Sequence, residues 1–225
     1  MGSYNMKILV TGNGVLANEL REQYYDNIVC LDKDEMDIRD SKKVEKELFL
    51  RRPDVIIHTA AITKPMKLND EYTNLSIETN IIGSSIIANL CFMYNIRLIY
   101  ISTDFMYLNE MEWNNYAKSK KAGELATLML DNSLVLRCAL QDIPFRHKIA
   151  YDDVYRNSIT HKDIAETILN LAESKHTGII NIGGKFKSVY SFVKDYQDIE
   201  LGHSYGKIPS ISIEANNFKT IIVEK

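Results

Sequence analysis

Two short stretches carry residue types that could move a proton. Ile101-Ser102-Thr103-Asp104 closes an apolar run, and thirteen residues after Thr103 comes Tyr116-Ala117-Lys118-Ser119-Lys120, opening a helical pattern. Tyr116 and Lys120 are four apart, so on a helix they share a face. A free tyrosine, with a pKa of about 10, is a poor acid or base at neutral pH. A neighbouring ammonium stabilises the phenolate and lowers that value. A hydroxyl such as that of Thr103, at the carboxyl end of a sheet strand, faces the crevice where ligands bind and can hydrogen-bond a carbonyl oxygen. Together the three make a proton-transfer site suited to work beside a hydride donor. A Tyr-x-x-x-Lys pair alone is common on solvated helices, so its meaning depends on the elements that position it. Lys118 and Lys121 fall on other faces and read as surface charges.

Those elements alternate. Apolar runs at Lys7–Thr11, Ile28–Leu31, Val55–His58, Leu98–Ser102 and Leu134–Arg137 predict strands. Helical patterns at Val15–Tyr25, Lys42–Arg51, Tyr72–Tyr94 and Tyr116–Leu130 fill the gaps. Strand–helix alternation predicts a parallel sheet with right-handed crossovers, and near-continuous apolar strands are buried on both faces. The first strand runs into Gly12-Asn13-Gly14-Val15-Leu16-Ala17, a G-x-G-x-x-A loop at the start of a helix. Gly12 permits the tight turn, Gly14 lets backbone approach a pyrophosphate, and Ala17 allows close helix–strand contact. Asp32, at the end of the second strand, can accept from ribose hydroxyls and favours NAD, whereas the adjacent Lys33 could pair with the 2′-phosphate of NADP. Asp37 and Ile38 sit where a loop could pass the adenine. The expected fold is therefore α/β, a Rossmann doubly wound parallel sheet with helices on both faces and a small C-terminal substrate cap. Residues 1–140 would form the NAD(P)-binding core. Residues 141–225 would form mostly a reduced cap, with a helix at Lys162–Glu173 capped by Thr160 or Ser158, a strand at Ile179–Ile182 returning to the core sheet, a helix at Tyr190–Tyr196 and an irregular tail over Gly202–Lys225.

Composition narrows the class. Hydrophobic residues make up 45% and charged residues 25% of 225, which excludes general disorder. The apolar runs look shorter than the roughly 20 residues a bilayer needs, so no membrane span is expected. A net charge of −3 without a basic block gives a nucleic-acid partner no electrostatic support. Cys30, Cys91 and Cys138 are few and scattered, reading as reduced core thiols of a cytoplasmic protein, with no metal site. His147, His161, His176 and His203 show no ligand spacing, and His58 is expected to pack or cap near the cofactor. Met1–Asn5 reads as a short leader before Met6, and Tyr24-Tyr25 as surface packing. Tyr107, Trp113 and Tyr151 could stack on a substrate, though packing is the more frequent fate of such aromatics.

These residues resemble the extended short-chain dehydrogenase/reductase superfamily, and within it the dTDP-4-dehydrorhamnose reductase family. The resemblance rests on Met6–Leu20, Arg52–Thr63, Ile101–Phe105 and Tyr116–Glu124, and more loosely on Thr160–Ala165 and Gly178–Gly184. It implies NAD(P)H-dependent reduction of the C4 keto group of a nucleotide-linked 4-keto-6-deoxy sugar. By position, Tyr116 would protonate the C4 oxygen, Lys120 would tune Tyr116 and bind the nicotinamide ribose, and Thr103 would polarise the carbonyl. Ala60, Ala61 and Thr63 would line the cofactor, Asp104 and Phe105 would shape the substrate side, and Asn80 matches a helix asparagine that is usually structural. A homodimer through the helices near Tyr72–Tyr94 and Tyr116 is also implied, although their apolar residues would equally serve a monomer.

Two departures stand out. The glycine loop is one residue shorter than the T-G-x-x-G-x-x-G of extended members, and a substrate-domain helix is missing before Ser158. An epimerase or dehydratase is the second reading. Thr103-Asp104-Phe105 lacks the glutamate usual in dehydratases, and no cysteine lies between Thr103 and Tyr116 to support C3/C5 epimerisation. A non-catalytic cofactor-binding regulatory subunit is the third, favoured by the shortened cap and opposed by the intact Thr103, Tyr116 and Lys120.

Overall fold

The structure, a computed structural model, describes residues 6–23, 27–63 and 67–224. Met1–Asn5 and Tyr24-Tyr25 lie outside them. In chain order the elements are β1 (Ile8–Thr11), α1 (Val15–Gln23), β2 (Ile28–Leu31), α2 (Ser41–Arg51), β3 (Val55–His58), the short α3 (Leu68–Glu71) and α4 (Thr73–Ser76), a π-helical stretch (Ile77–Gly83), α5 (Ser84–Tyr94), β4 (Arg97–Thr103), α6 (Asn115–Thr127) and β5 (Leu134–Cys138). There follow β6 (Ile149–Tyr151), β7 (Tyr155–Arg156), α7 (His161–Glu173), β8 (Gly178–Gly183), β9 (Lys187–Ser188), α8 (Val189–Lys194), β10 (Glu200–Gly202) and β11 (Lys219–Ile222).

Seven strands form one parallel sheet in the order β11-β8-β5-β4-β3-β1-β2. The chain moves outward from β1 to β2, then returns to β3 on the other side of β1, which creates a crevice at the carboxyl ends of β1 and β3. Every residue of β1, β3 and β5 is buried, as continuous apolar runs require. Two apolar layers cover the sheet. One joins Val10, Leu20, Ile57 and Leu136 to α7 through Ile164 and Ile168; the other joins Leu9, Ile56 and Leu98 to α2 and α5 through Val44 and Ile87. Local signals place the helix starts: Asp40, Asn114 and Thr160 accept backbone N–H bonds as caps of α2, α6 and α7.

Two sequence expectations are corrected. The tail expected to be irregular supplies β11, which pairs with β8 as the seventh strand. Helical residues Thr73–Tyr94 are, by length and composition, long and apolar enough to cross a membrane, although no apolar run looked sufficient in the sequence. That stretch packs into the fold, burying Asn80, Ser84, Ile87, Ala88 and Cys91. The remaining C-terminal residues form a small cap: β6 pairs with β10, β7 with β9, and Ala150, Val154, Val189, Phe192 and Val193 make its core.

Candidate active site

A cleft of about 550 Å³ runs along the crevice. It is lined by Gly12, Asn13, Gly14, Val15, Leu16, Asp32, Lys33, Asp37, Ile38, Ala60, Ala61, Thr63, Tyr116 and Lys120, so the residues singled out for cofactor binding come together. Gly12 has φ +89°, and a Cβ there would lie 3.3 Å from Ala60 Cα. A Cβ on Gly14 would meet nothing within 4 Å, which leaves backbone open to a ligand. α1 begins at Val15 and turns the free N–H groups of its first turn toward the same loop. A cradle of this kind fits the diphosphate of a dinucleotide. At the far end, Asp32 Oδ1 accepts from the N–H groups of Asp34 (2.9 Å) and Glu35 (3.0 Å), which fixes the turn after β2.

The loops around the cleft are held by a buried polar chain. Thr11 Oγ1 lies 2.6 Å from His58 Nδ1 and accepts from Ala60 N–H at 3.1 Å. His58 Nε2 lies 2.9 Å from Ser84 Oγ. Burial, with the nearby Lys120 charge, pushes the His58 imidazole down to about 3, so it is neutral. Asn80 donates to Ile62 O (3.1 Å) and to Ser119 Oγ (3.0 Å) and accepts from Ile62 N–H (2.7 Å), which ties the loop after β3 to α6.

Tyr116 and Lys120 belong to a buried stripe on α6 that continues through Gly123, Glu124 and Thr127. Gly123 lets α6 approach β4: a Cβ there would lie 2.3 Å from the Tyr100 hydroxyl. Lys120 Nζ sits 4.1 Å from the centre of the Tyr100 ring. Burial pushes the Lys120 ammonium down to about 7, against the upward pull of Glu124. Burial pushes the Tyr116 phenol up to about 12, although its hydrogen bond with Thr103 pulls the other way. Thr103 is buried; its hydroxyl donates to Asp104 Oδ1 (3.3 Å) and accepts from Phe105 N–H (3.3 Å). Asp104, expected on the substrate side, is buried instead, and Arg156 Nε donates to its Oδ2 at 3.0 Å. The Phe105 ring stands edge-on to Tyr116, with centroids 6.0 Å apart.

The sequence reading passed over Arg39, Leu140 and a role for His161, all of which line the cleft. Arg39 grips Asp37 through Nε (2.9 Å) and a second nitrogen (2.6 Å), holding the Asp37 carboxyl down to about 2. Its spacing from Asp37 was the available signal. A bridge joins Leu140 to Ile159, two residues before His161, and no local pattern announces it. Tyr107 and Trp113 spend their polar atoms on packing: Tyr107 donates to Asn181 Oδ1, and Trp113 Nε1 donates to Leu108 O at 3.1 Å. His203, which looked isolated, lies with Asp152 and Asp153 on the surface and donates within 2.8 Å of Asp152.

A parallel sheet with a glycine loop at its reversal point and a Tyr-x-x-x-Lys helix beside it defines a protein of the extended short-chain dehydrogenase/reductase class. The family model described as RmlD substrate binding domain matches residues 6–177, and the chain belongs to that family. A dTDP-4-dehydrorhamnose reductase of Aggregatibacter actinomycetemcomitans is 28% identical over 148 residues, which cover 58% of this chain and 50% of that protein. The match thus spans half the length of this curated relative. Among solved structures, a dTDP-4-dehydrorhamnose reductase of Bacillus anthracis in complex with NADP superposes with a TM-score of 0.80 at 21% identity, covering 99% of this chain and 95% of that one. One from Clostridium acetobutylicum gives 0.77 at 21% identity, with coverages of 97% and 90%.

Proposed function

We propose that the protein reduces the C4 keto group of a nucleotide-linked 4-keto-6-deoxy sugar with NADH or NADPH. The carrying observation is the single cleft that joins the Gly12–Ala17 cradle to Tyr116 and Lys120. Family membership and the fold shared with an NADP-bound reductase support the same reading. A bound dihydronicotinamide supplies hydride to the carbonyl carbon. Gly12, Gly14 and the start of α1 would hold the diphosphate, and Asp32 would accept from the adenosine ribose hydroxyls. Tyr116, kept neutral by burial, donates its proton to the oxygen that gains charge. Thr103 steadies that oxygen, and the Lys120 side chain, at the floor of the cleft, is placed for the nicotinamide ribose. The cap built from β6, β7, β9, α8 and β10 forms the substrate side.

A homodimer through the outer faces of α5 and α6, which expose Phe92, Met93 and Leu125, belongs to the same proposal, as does a cytoplasmic location suited to three free thiols. Sedimentation gives the oligomeric state. The activity test follows NADH and NADPH absorbance with dTDP- and UDP-linked 4-keto-6-deoxy sugars made in situ by a dehydratase. Oxidation that requires the keto sugar and falls about a hundredfold in Tyr116→Phe is expected. Intact cofactor binding without turnover of either sugar overturns the reductase reading.

A further inference from the structure

Arg156 lies in the cap, on β7, yet its guanidinium ends against the carboxyl end of β4. Nε donates to Asp104 Oδ2 at 3.0 Å, and a second nitrogen donates to the same oxygen. The other Asp104 oxygen accepts a hydrogen bond from the Thr103 hydroxyl. The same hydroxyl also hydrogen-bonds Tyr116, a contact that favours the phenolate. The polar chain therefore runs Tyr116, Thr103, Asp104, Arg156. A second, apolar route runs beside it. The Arg156 guanidinium lies 5.0 Å from the centre of the Phe105 ring, which stands perpendicular to the Tyr116 ring with centroids 6.0 Å apart. Asp104 is 2% exposed, and the Arg156 side chain is 21% exposed. A carboxylate so buried needs its partner, and the partner comes from 52 residues away in the chain.

We propose that Arg156 is a positioning residue for the active-site hydroxyls, a cap residue that neutralises Asp104 and braces Phe105 so that Thr103 and Tyr116 keep their geometry. The proposal rests on the reductase reading for its kinetic consequence, though not for its structural one. With Arg156 removed, Asp104 carries an uncompensated charge beside Thr103 and draws the Thr103 hydroxyl more strongly than the 3.3 Å bond of the intact pair, so the hydroxyl is less free to donate to a carbonyl oxygen. The charged and titratable groups facing Tyr116 are Asp104 on the β4 side, Arg156 on β7 and Cys138 on β5; Lys120 shares its helix, and Tyr100 lies on β4 behind it. Asp104 disfavours the phenolate and Arg156 favours it. Loss of Arg156 alone therefore raises the Tyr116 pKa, and loss of the Asp104 charge alone lowers it.

The test compares Arg156→Gln, Arg156→Lys, Asp104→Asn and the double variant Asp104→Asn/Arg156→Gln with the full-length parent. Cofactor affinity is read by NADH fluorescence, kcat and KM by absorbance, and Tyr116 ionisation by NMR of 13Cζ-tyrosine, with Tyr116→Phe identifying the resonance. Arg156→Gln should lower kcat at least tenfold, leave cofactor affinity within twofold and move the basic limb of the kcat profile upward. Arg156→Lys should fall between, because it keeps charge without the planar fork. The double variant should recover most of the loss. In Asp104→Asn the Tyr116 resonance should begin to titrate at lower pH than in the parent. Parental kcat and an unmoved basic limb in Arg156→Gln overturn the proposal, as does a double variant no better than the product of the singles. If the parent reduces no keto sugar yet Tyr116 shifts in Asp104→Asn, the reductase reading fails and the positioning pair stands. If the parent turns over and neither kcat nor the resonance moves, the pair fails alone.

Discussion

Replacing Glu124 should unsettle the fold more than any other single change to a charged residue. Its carboxylate is fully buried between α6 and the sheet and accepts from Ser102 Oγ (2.7 Å), Arg137 Nε (2.9 Å), a second Arg137 nitrogen (2.8 Å) and Lys121 Nζ (3.2 Å). Arg137 is closed in as well, with the Tyr107 and Phe218 rings each 5.2 Å from its guanidinium carbon. Glu124→Ala strips the charge from one side of this pair and leaves a buried guanidinium facing aromatic rings and one phenol. Breaking a buried pair in that way costs about 3–5 kcal/mol. With a urea m-value of roughly 2–3 kcal/mol/M for a chain of this size, the midpoint should fall by about 1–2 M with m unchanged. Glu124→Gln keeps the volume and one acceptor and should lose somewhat less. Replacing both partners, as Glu124→Leu/Arg137→Met, should recover much of the loss, because no lone charge remains. A Glu124→Gln midpoint within 0.3 M of the parent, roughly 1 kcal/mol by the same m-value, would refute the reasoning. The pH dependence offers a second reading. Burial by itself would raise the Glu124 carboxyl, but the Arg137 bonds and charge, Ser102 and Lys121 outweigh it, and the net shift is below 4.5. A carboxyl depressed in the folded state contributes stability that is present above the ordinary carboxylate range and lost as pH falls through its folded value. The gap between parent and Glu124→Gln should therefore narrow in acid.

Lys120→Met should flatten the stability profile between about 7, the folded value, and 10.5, the ordinary one. In that window the unfolded chain binds more protons, so parental stability rises with pH by up to about 1.4 kcal/mol per unit; parallel urea midpoints for parent and variant from pH 6 to 10 would contradict this. Gly12→Ala places a Cβ at φ +89° and 3.3 Å from Ala60 Cα. It should cost roughly 1–2 kcal/mol and weaken NADH binding at least tenfold by fluorescence titration, and parental affinity would count against the cradle.

The sheet was legible because its strands are buried on both faces. Ile8–Thr11, Val55–His58 and Leu134–Cys138 are mostly apolar, with a polar residue only near the carboxyl end of each, and position in a parallel sheet leaves them no solvent-facing side. The cleft was legible because its residues cluster at strand ends, where Gly12 and Asp32 follow directly on β1 and β2 and Ala60 comes two residues after β3. Three features were not. The partner of Lys219–Ile222 is β8, some forty residues earlier, and nothing in a short Lys-Thr-Ile-Ile run names that partner. The π-helical turn at Ile77–Gly83 shifts Asn80 onto Ile62 and Ser119, and an apolar periodicity does not encode an extra residue per turn. The third concerns Tyr116 and Lys120. Spacing put them on one face, but Lys120 rests on the Tyr100 ring and Tyr116 turns to Thr103, a choice made by the depth of burial and by Gly123.

The strand order also dictates a sequence of events on the ribosome. β5 pairs with β4 as soon as it emerges, but its other edge waits for β8, whose pairing begins 44 residues later, at Leu134 with Gly178. At roughly 5–20 residues per second, each nascent chain carries that unpaired edge for about 2–9 s. A flat apolar edge is a template for foreign strands. Arg137 is the fourth of the five residues of β5, and Glu124, already synthesised, pairs with it. A residue that braces the finished core thus also puts a polar side chain into an edge that otherwise offers leucine, valine and cysteine to a passing strand.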